Sequence, residues 1–245
     1  STFRDRDGKL LVAVTGGDNG LWVNTVGASM TPTTLVGSFS CDDTKIQPAI
    51  DAMSSGGIVK VLSGSYPENV VINKELTLTG TGNPIVTSFT LNAILGTDSR
   101  GITAPQVTVN AGFRISQAID LASAGGSVKV NGAAGYTYSD DLTQGFYAKG
   151  ITLTGSNGPV TKSITLDQDV AGKISGIAAS TIIVQNPKAK IQDGIILVQS
   201  GGTISAKTGN YLEDIDINKD FVLIGIGNPV VSSISIHVAL GKYPS

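Results

Sequence analysis

The segment from Ile46 to Ser88 reads IQPAIDAMSSGGIVKVLSGSYPENVVINKELTLTGTGNPIVTS. It recurs from Ile115 to Ser163 as ISQAIDLASAGGSVKVNGAAGYTYSDDLTQGFYAKGITLTGSNGPVTKS, and from Ile191 to Ser233 as IQDGIILVQSGGTISAKTGNYLEDIDINKDFVLIGIGNPVVSS. Gly56-Gly57, Gly125-Gly126 and Gly201-Gly202 stand 69 and 76 positions apart, and Pro84, Pro159 and Pro229 stand 75 and 70 apart. The six-residue difference falls in a longer loop between Gly126 and Gly155. Self-similarity at a near-constant spacing dictates a stacked array, in which each unit buries its apolar face against its neighbours.

Within each copy the apolar period changes midway. Ile46, Ala49, Ile50 and Met53 fall at i, i+3, i+4 and i+7, and Ile115, Ala118, Ile119 and Ala122 repeat that spacing, which predicts a short one-sided helix. Asp43 or Thr44 is expected to cap its start, and the glycine pair to end it. Short strands follow at Ile58 to Leu62, Val70 to Ile72, Leu76 to Thr79 and Ile85 to Leu91. Corners such as Ser63 to Asn69 separate them where hairpins would show two-residue turns, so a continuing coil is expected. The segments between copies also align, Gly101-Ile102 with Gly176-Ile177 and Val107-Thr108-Val109 with Ile182-Ile183-Val184. At roughly 20 to 25 residues per coil, each copy supplies about three rungs. The chain thus divides into residues 1–45, then repeats at 46–114, 115–190 and 191–245.

Residues 1–45 stand outside the repeat. Leu10, Val12 and Val14 alternate with other residues, Gly16 to Gly20 makes a turn, and Leu21-Trp22-Val23 resumes, which reads as a hairpin. Its expected role is to cap the first coil or to reach a neighbouring subunit as an assembly arm.

The pattern Ala49-Ile50-Asp51, Gly56-Gly57, Val59-Lys60-Val61, Gly64, Tyr66, Glu68, Val70, Ile72, Lys74 and Leu76-Thr77-Leu78 resembles the opening rungs of the pectin-lyase-like superfamily. The third copy keeps Gly201-Gly202, Gly209, Tyr211, Glu213, Ile215, Ile217 and Lys219, and departs at Asp193-Gly194-Ile195-Ile196. The resemblance implies a mainly β fold, a right-handed parallel β-helix (solenoid) with a short helix in each repeat. It implies no single chemistry, since that superfamily spans lyases, hydrolases, epimerases, tailspikes, adhesins and surface-layer repeats. Its members usually carry the motif once, and three copies favour a construction module.

Composition narrows the function. Charged residues are 15% of the 245, below the roughly 25% of an average soluble domain. The 31 glycines suit strands and tight turns. The formal charge of −2 gives no footprint for nucleic acid or an anionic membrane, and no apolar run reaches the roughly 18 residues of a membrane span. Cys41 is the only cysteine, which excludes an intrachain disulfide. The start at Ser1 is that of a processed, cleaved or chosen terminus, as removal of a signal peptide would leave. The lack of an Asn-x-Ser/Thr sequon suits a prokaryotic surface or secreted protein.

Candidate chemistry is sparse. Asp140-Asp141, in the expanded loop of the second copy, is the best calcium candidate, although solvated turn carboxylates are the ordinary reading of such a pair. Glu68 and Glu213 occupy matching positions, but about three rungs, roughly 14 Å, would separate successive copies, too far for a glycosidase pair. His237 is the only histidine. Lys74, Lys149 and Lys219 recur six residues before Gly80, Gly155 and Gly225, as an outward row that keeps the coil soluble or grips an acidic polymer. Tyr66, Tyr136 and Tyr211 recur and suit corner packing. No catalytic residue and no required cofactor emerges. The sequence favours a non-enzymatic extracellular or cell-surface protein that assembles with its own copies into a filament, sheath, surface layer or adhesin stalk. The assembly candidates are Leu10, Val12, Val14 and Trp22 near the start, and Ile234 and Ile236 near the end. The alternative is a carbohydrate-active β-helix, a polysaccharide lyase, hydrolase or glycan binder, with cell-surface polysaccharide as partner.

Overall fold

The computed structural model describes residues 2–4, 10–16, 20–26, 33–37, 44–143, 148–170 and 172–237, with backbone alone up to residue 26. The chain is mainly β, a parallel β-solenoid with three short helices among the described residues. It begins with β1 (Thr2–Arg4), β2 (Leu10–Gly16) and β3 (Gly20–Val26), an antiparallel sheet with Gly16 opposite Gly20, so the expected hairpin is present. Leu10, Val12 and Val14 lie on β2 and Trp22 on β3. Cys41 and Asp43 lie outside the described residues.

The first repeat follows β4 (Thr33–Val36). It comprises α1 (Ile46–Ala52), β5 (Gly57–Val61), β6 (Ser65–Ile72), β7 (Leu76–Gly80), β8 (Ile85–Leu91) and β9 (Ala104–Val109). The second comprises α2 (Ile115–Leu121), β10 (Ala122–Asn131), β11 (Thr137–Leu142), β12 (Thr152–Ser156), β13 (Val160–Leu166), β14 (Ile174–Ser175) and β15 (Ala178–Val184). The third comprises α3 (Ile191–Leu197), β16 (Val198–Lys207), β17 (Asn210–Ile217), β18 (Val222–Ile226) and β19 (Val230–Ile236).

Two compact units divide the chain: residues 1–109 with 120–123, and residues 110–119 with 124–245. In the first, parallel ladders run β4-β5-β7 and β6-β8-β9. One turn of coil takes about 19 residues there, since Ile58 pairs with Thr77 and Val70 with Phe89. Alternation decides what faces inward. Val70, Phe89 and Val107 stack as one buried column, and Ile72, Leu91 and Val109 as another. The threonines between them point outward.

In the second unit, ladders run β10-β12-β14, β11-β13-β15-β16-β18 and β17-β19. Leu142, Ile164, Ile182 and Ile204 form its longest buried column. The five-stranded ladder joins second strands of repeat 2 (β11, β13) to first strands of repeat 3 (β16, β18). The third repeat is therefore rolled one face round the coil from the second.

Close backbone approach explains some of the repeated glycines. A Cβ on Gly80 would lie 2.1 Å from the Gly101 carbonyl oxygen, and one on Gly155 would lie 1.9 Å from that of Gly176. Only hydrogen fits there. The glycine pairs do not end the helices: α1 stops at Ala52, Met53 is already extended, and Gly56 takes a φ of +80° as β5 begins.

Candidate functional site

The repeated polar residues converge on the helices. Each helix is seven residues long and preceded by a lysine or arginine, a donor-only side chain that cannot cap backbone N–H groups. The cap comes instead from the second strand after each helix. Glu68 accepts from the N–H groups of Ile46 and Gln47, at 2.9 and 3.0 Å. Asp140 does the same for Ile115 and Ser116, at 3.1 and 3.0 Å, and accepts the Ser116 hydroxyl at 2.6 Å. Glu213 takes Ile191 and Gln192 at 2.7 and 3.1 Å. Where Asp43 or Thr44 is expected to cap α1, its first two N–H groups are held by a carboxylate more than twenty residues away; Asp43 itself lies outside the described residues. Anionic oxygens bound to N–H groups at a helix start gain from both hydrogen bonding and the local dipole.

A bulge aims each carboxylate. Between Tyr66 and Asn69 two residues of β6 oppose one of β8, and the same shift recurs between Tyr138 and Asp141 and between Tyr211 and Asp214. Such an insertion re-aims a side chain that strict alternation would send elsewhere. Consequently Ser65 to Asn69, expected as a corner, is strand. The tyrosine two residues before each acid is buried and donates to a corner carbonyl: Tyr66 to Leu62, Tyr138 to Asn131 and Tyr211 to Lys207. Tyr138, not Tyr136, is the counterpart in the second copy. Tyr136 stacks edge-on against it at 5.1 Å. Burial, then the neighbouring Tyr136 and Asp140, pushes the Tyr138 hydroxyl well above the ordinary tyrosine value.

The recurrent lysines close the other helix ends. Lys74 donates to the carbonyls of Asp51 and Met53 at 2.8 and 3.0 Å, Lys149 to Ile119 at 2.9 Å, and Lys219 to Ile196 and Val198 at 3.0 and 2.5 Å. These carbonyls lack helical partners, and a cation there complements the dipole. The expected outward row does not form in the second unit. Lys149 precedes β12 and Lys219 precedes β18, strands of different ladders. Burial holds the Lys219 ammonium below its ordinary value.

Asp140 and Asp141 serve different partners. Asp140 is buried against α2, whereas Asp141 is exposed and accepts from Lys162 at 2.8 Å and the Ser163 hydroxyl at 2.6 Å. Those bonds, Lys162 first, hold the Asp141 carboxyl below its usual range. The bond to Ser163 is itself repeated: Ser88 donates to Asn69 at 2.8 Å and Ser233 to Asp214 at 2.6 Å. Among the described residues no group of three or more His, Cys, Asp or Glu side chains is arranged to hold a metal ion.

Two surfaces stand apart from this scaffold. A polar cleft of about 540 Å³ is lined by Thr143, Thr165, Asp167, Gln185 and Asn186, and Asp167 Oδ1 is buried there without a hydrogen-bond partner. The other is aliphatic. Leu223 continues the Ile164–Ile182–Ile204 column yet is 37% exposed, while Ile234 and Ile236 on β19 are 50% and 58% exposed. The outward positions of β18 also hold Val222, Ile224 and Ile226, where β7 and β12 have Thr77 and Thr79, and Thr152 and Thr154. Comparison with protein-family models, curated proteins and solved structures finds no match to this chain. The class that the geometry defines is the parallel β-solenoid.

Proposed function

We propose that this chain is a non-enzymatic structural protein of the cell surface or extracellular space, which assembles with its own copies into a filament, sheath, surface layer or adhesin stalk. One observation carries this reading: the acids, lysines and tyrosines that recur in all three copies bond the backbone of the scaffold itself. Repetition has kept the residues that hold turns together. The motif shared with the opening rungs of the pectin-lyase-like superfamily supports kinship with its surface and structural members, coiled in the right-handed sense. Electron microscopy of the purified chain tests the function, with regular filaments or sheets expected. Dispersed monomers that release unsaturated sugars from polyuronates would overturn it.

The polar cleft favours a second reading, a glycan-binding module. Its volume lies in the range of ordinary ligand pockets, and a carboxylate, two hydroxyls and two amides offer the donors and acceptors that sugar hydroxyls use. Glycan-array binding abolished by Asp167→Asn would support that reading, and an array without signal would remove it.

A further inference from the structure

Each repeat turns the corner between its third and fourth strands through two successive residues of positive φ. Gly82 and Asn83 take +74° and +56° in the first copy, Asn157 and Gly158 +61° and +59° in the second, and Gly227 and Asn228 +72° and +61° in the third. Glycine and asparagine are the residues that visit this left-handed backbone most readily, and a proline follows every pair. Only the second copy places asparagine first. The facing strand end explains the reversal. A Cβ on Gly82 would meet Ser63 Cβ at 2.8 Å, and one on Gly227 would collide with Thr208 Oγ1, so neither corner admits a side chain at its first position. In the second copy the residue in the place of Ser63 and Thr208 is Gly132, and here the close approach falls on that side. Its own Cβ would lie 2.5 Å from the Asn157 carbonyl oxygen and 2.7 Å from Pro159 N. A side chain therefore fits at Asn157, and glycine follows it.

The order changes the chemistry open to the asparagine. Asn83 and Asn228 precede proline, whose nitrogen carries no hydrogen to give up. Asn157 precedes an N–H on a residue with no side chain to hinder attack. Both Asn157 and Gly158 are exposed, and neither the Asn157 amide nor the Gly158 N–H makes a hydrogen bond among the described residues. The pair Asn131-Gly132 is held differently: Gly132 N–H donates to the Ser156 carbonyl at 2.7 Å, and the Asn131 amide donates to Asn110 Oδ1 at 2.7 Å. In the remaining Asn-Gly pair of the sequence, Asn19 lies outside the described residues.

We propose that Asn157 is a site of spontaneous covalent modification, in which the Gly158 backbone nitrogen displaces ammonia from its side chain. The nitrogen gives its proton to water or hydroxide and bonds to Asn157 Cγ, the Cγ–Nδ2 bond breaks, and the departing amide nitrogen takes up a proton as ammonia. Water then opens the cyclic imide at either carbonyl, leaving aspartate or isoaspartate, with nothing oxidised or reduced. Either product adds one negative charge to the net −2. Isoaspartate also routes the main chain through the former side chain. The extra backbone carbon falls between Ser156, held by Gly132, and Pro159, whose carbonyl accepts from Ala178 N–H at 3.0 Å. The second repeat thus carries a mark of age that the matching corners of the first and third cannot acquire. The reaction needs no partner and is independent of self-assembly.

Peptide mass spectrometry of the full folded chain, held in mildly alkaline buffer, follows the loss of each amide with time. Conversion is expected at Asn157, as two isomeric acid products, with Asn83 and Asn228 unchanged. Asn131 is expected to convert about tenfold more slowly than Asn157, because the Gly132 N–H must first give up its bond. Asn157→Gly/Gly158→Asn restores the Gly-Asn-Pro order of the other copies, and a Cβ at Gly158 meets nothing within 4 Å. That variant should fold as wild type and keep its amide. A urea-unfolded sample of wild type supplies the rate of the unconstrained chain. An Asn157 that keeps its amide in the folded protein while the unfolded chain converts would overturn the proposal. Equal rates at Asn131 and Asn157 in the folded protein would overturn it too, as would conversion of the swapped variant at the wild-type rate.

Discussion

At the scale of single residues, helix stability rests on charges borrowed from another turn. Glu213 makes two charge-assisted bonds to the start of α3, so Glu213→Ala should cost about 2 kcal/mol in urea unfolding, and Glu213→Gln, which keeps an acceptor, about half that. An undiminished stability in Glu213→Gln would show that charge and fork geometry contribute nothing. Asp193, in the first turn of α3, behaves in the opposite sense. Burial raises its carboxyl above the ordinary 3.8, outweighing the bond from Val170 N–H and the attraction of Lys190. A folded pKa above the unfolded one means the folded chain binds more protons in that window, so this group's contribution falls as pH rises through it. Asp193→Asn should therefore remove a stretch of declining stability just above pH 3.8, read from urea midpoints along a pH series. An unaltered slope would contradict the assignment. The Tyr-x-acid spacing of Tyr66 and Glu68, Tyr138 and Asp140, and Tyr211 and Glu213 was available in the sequence. Matching by the nearby glycines pointed to Tyr136 instead, because part of the second copy's insertion lies ahead of the tyrosine. What no local pattern reveals is the capping itself: its partners lie more than twenty residues apart, and only the coil's period brings them together.

At the scale of elements, one repeated position can be read against itself. A Cβ on Gly155 would collide with the Gly176 carbonyl, whereas one on Gly225 meets only Pro229, at 3.0 Å. Gly155→Ala should thus destabilise by about 1 to 3 kcal/mol, the usual range for forcing volume into a packed site, and Gly225→Ala by well under 1 kcal/mol. Thermal unfolding of the two variants measures the difference. Similar losses at both positions would mean that rung-to-rung approach is not what the glycine serves. The elements themselves were largely legible: the helix spacing from Ile46 to Met53 and the alternation along Leu76-Thr77-Leu78 each state a period and a buried face. Their ends were not. Met53 is already extended before Gly56, and Lys74 bonds the Asp51 and Met53 carbonyls at that helix end; Ser65 is already strand because the bulge absorbs Pro67 and Glu68.

At the scale of the whole molecule, turns stacked in series lend each other protection unequally. The Ile164–Ile182–Ile204 column is fully buried and Leu223 is not, so amide exchange should be slowest in β13 and β15 and fastest in β18 and β19. Hydrogen exchange by mass spectrometry reads this directly, and uniform protection across these strands would refute it. The repeat in the sequence itself announces such a series. The roll of one face between the second and third copies was hidden, since it depends on which strand stacks on which and leaves the spacing of the residues unchanged. Long-range capping also has a consequence for biosynthesis. A chain emerging from the ribosome presents Ile46 to Ala52 well before Glu68 and Lys74, so those seven residues have no anchor until the following loop of polypeptide has left the exit tunnel and wound back. Formation of the helix thereby becomes a checkpoint on the winding of each coil during translation.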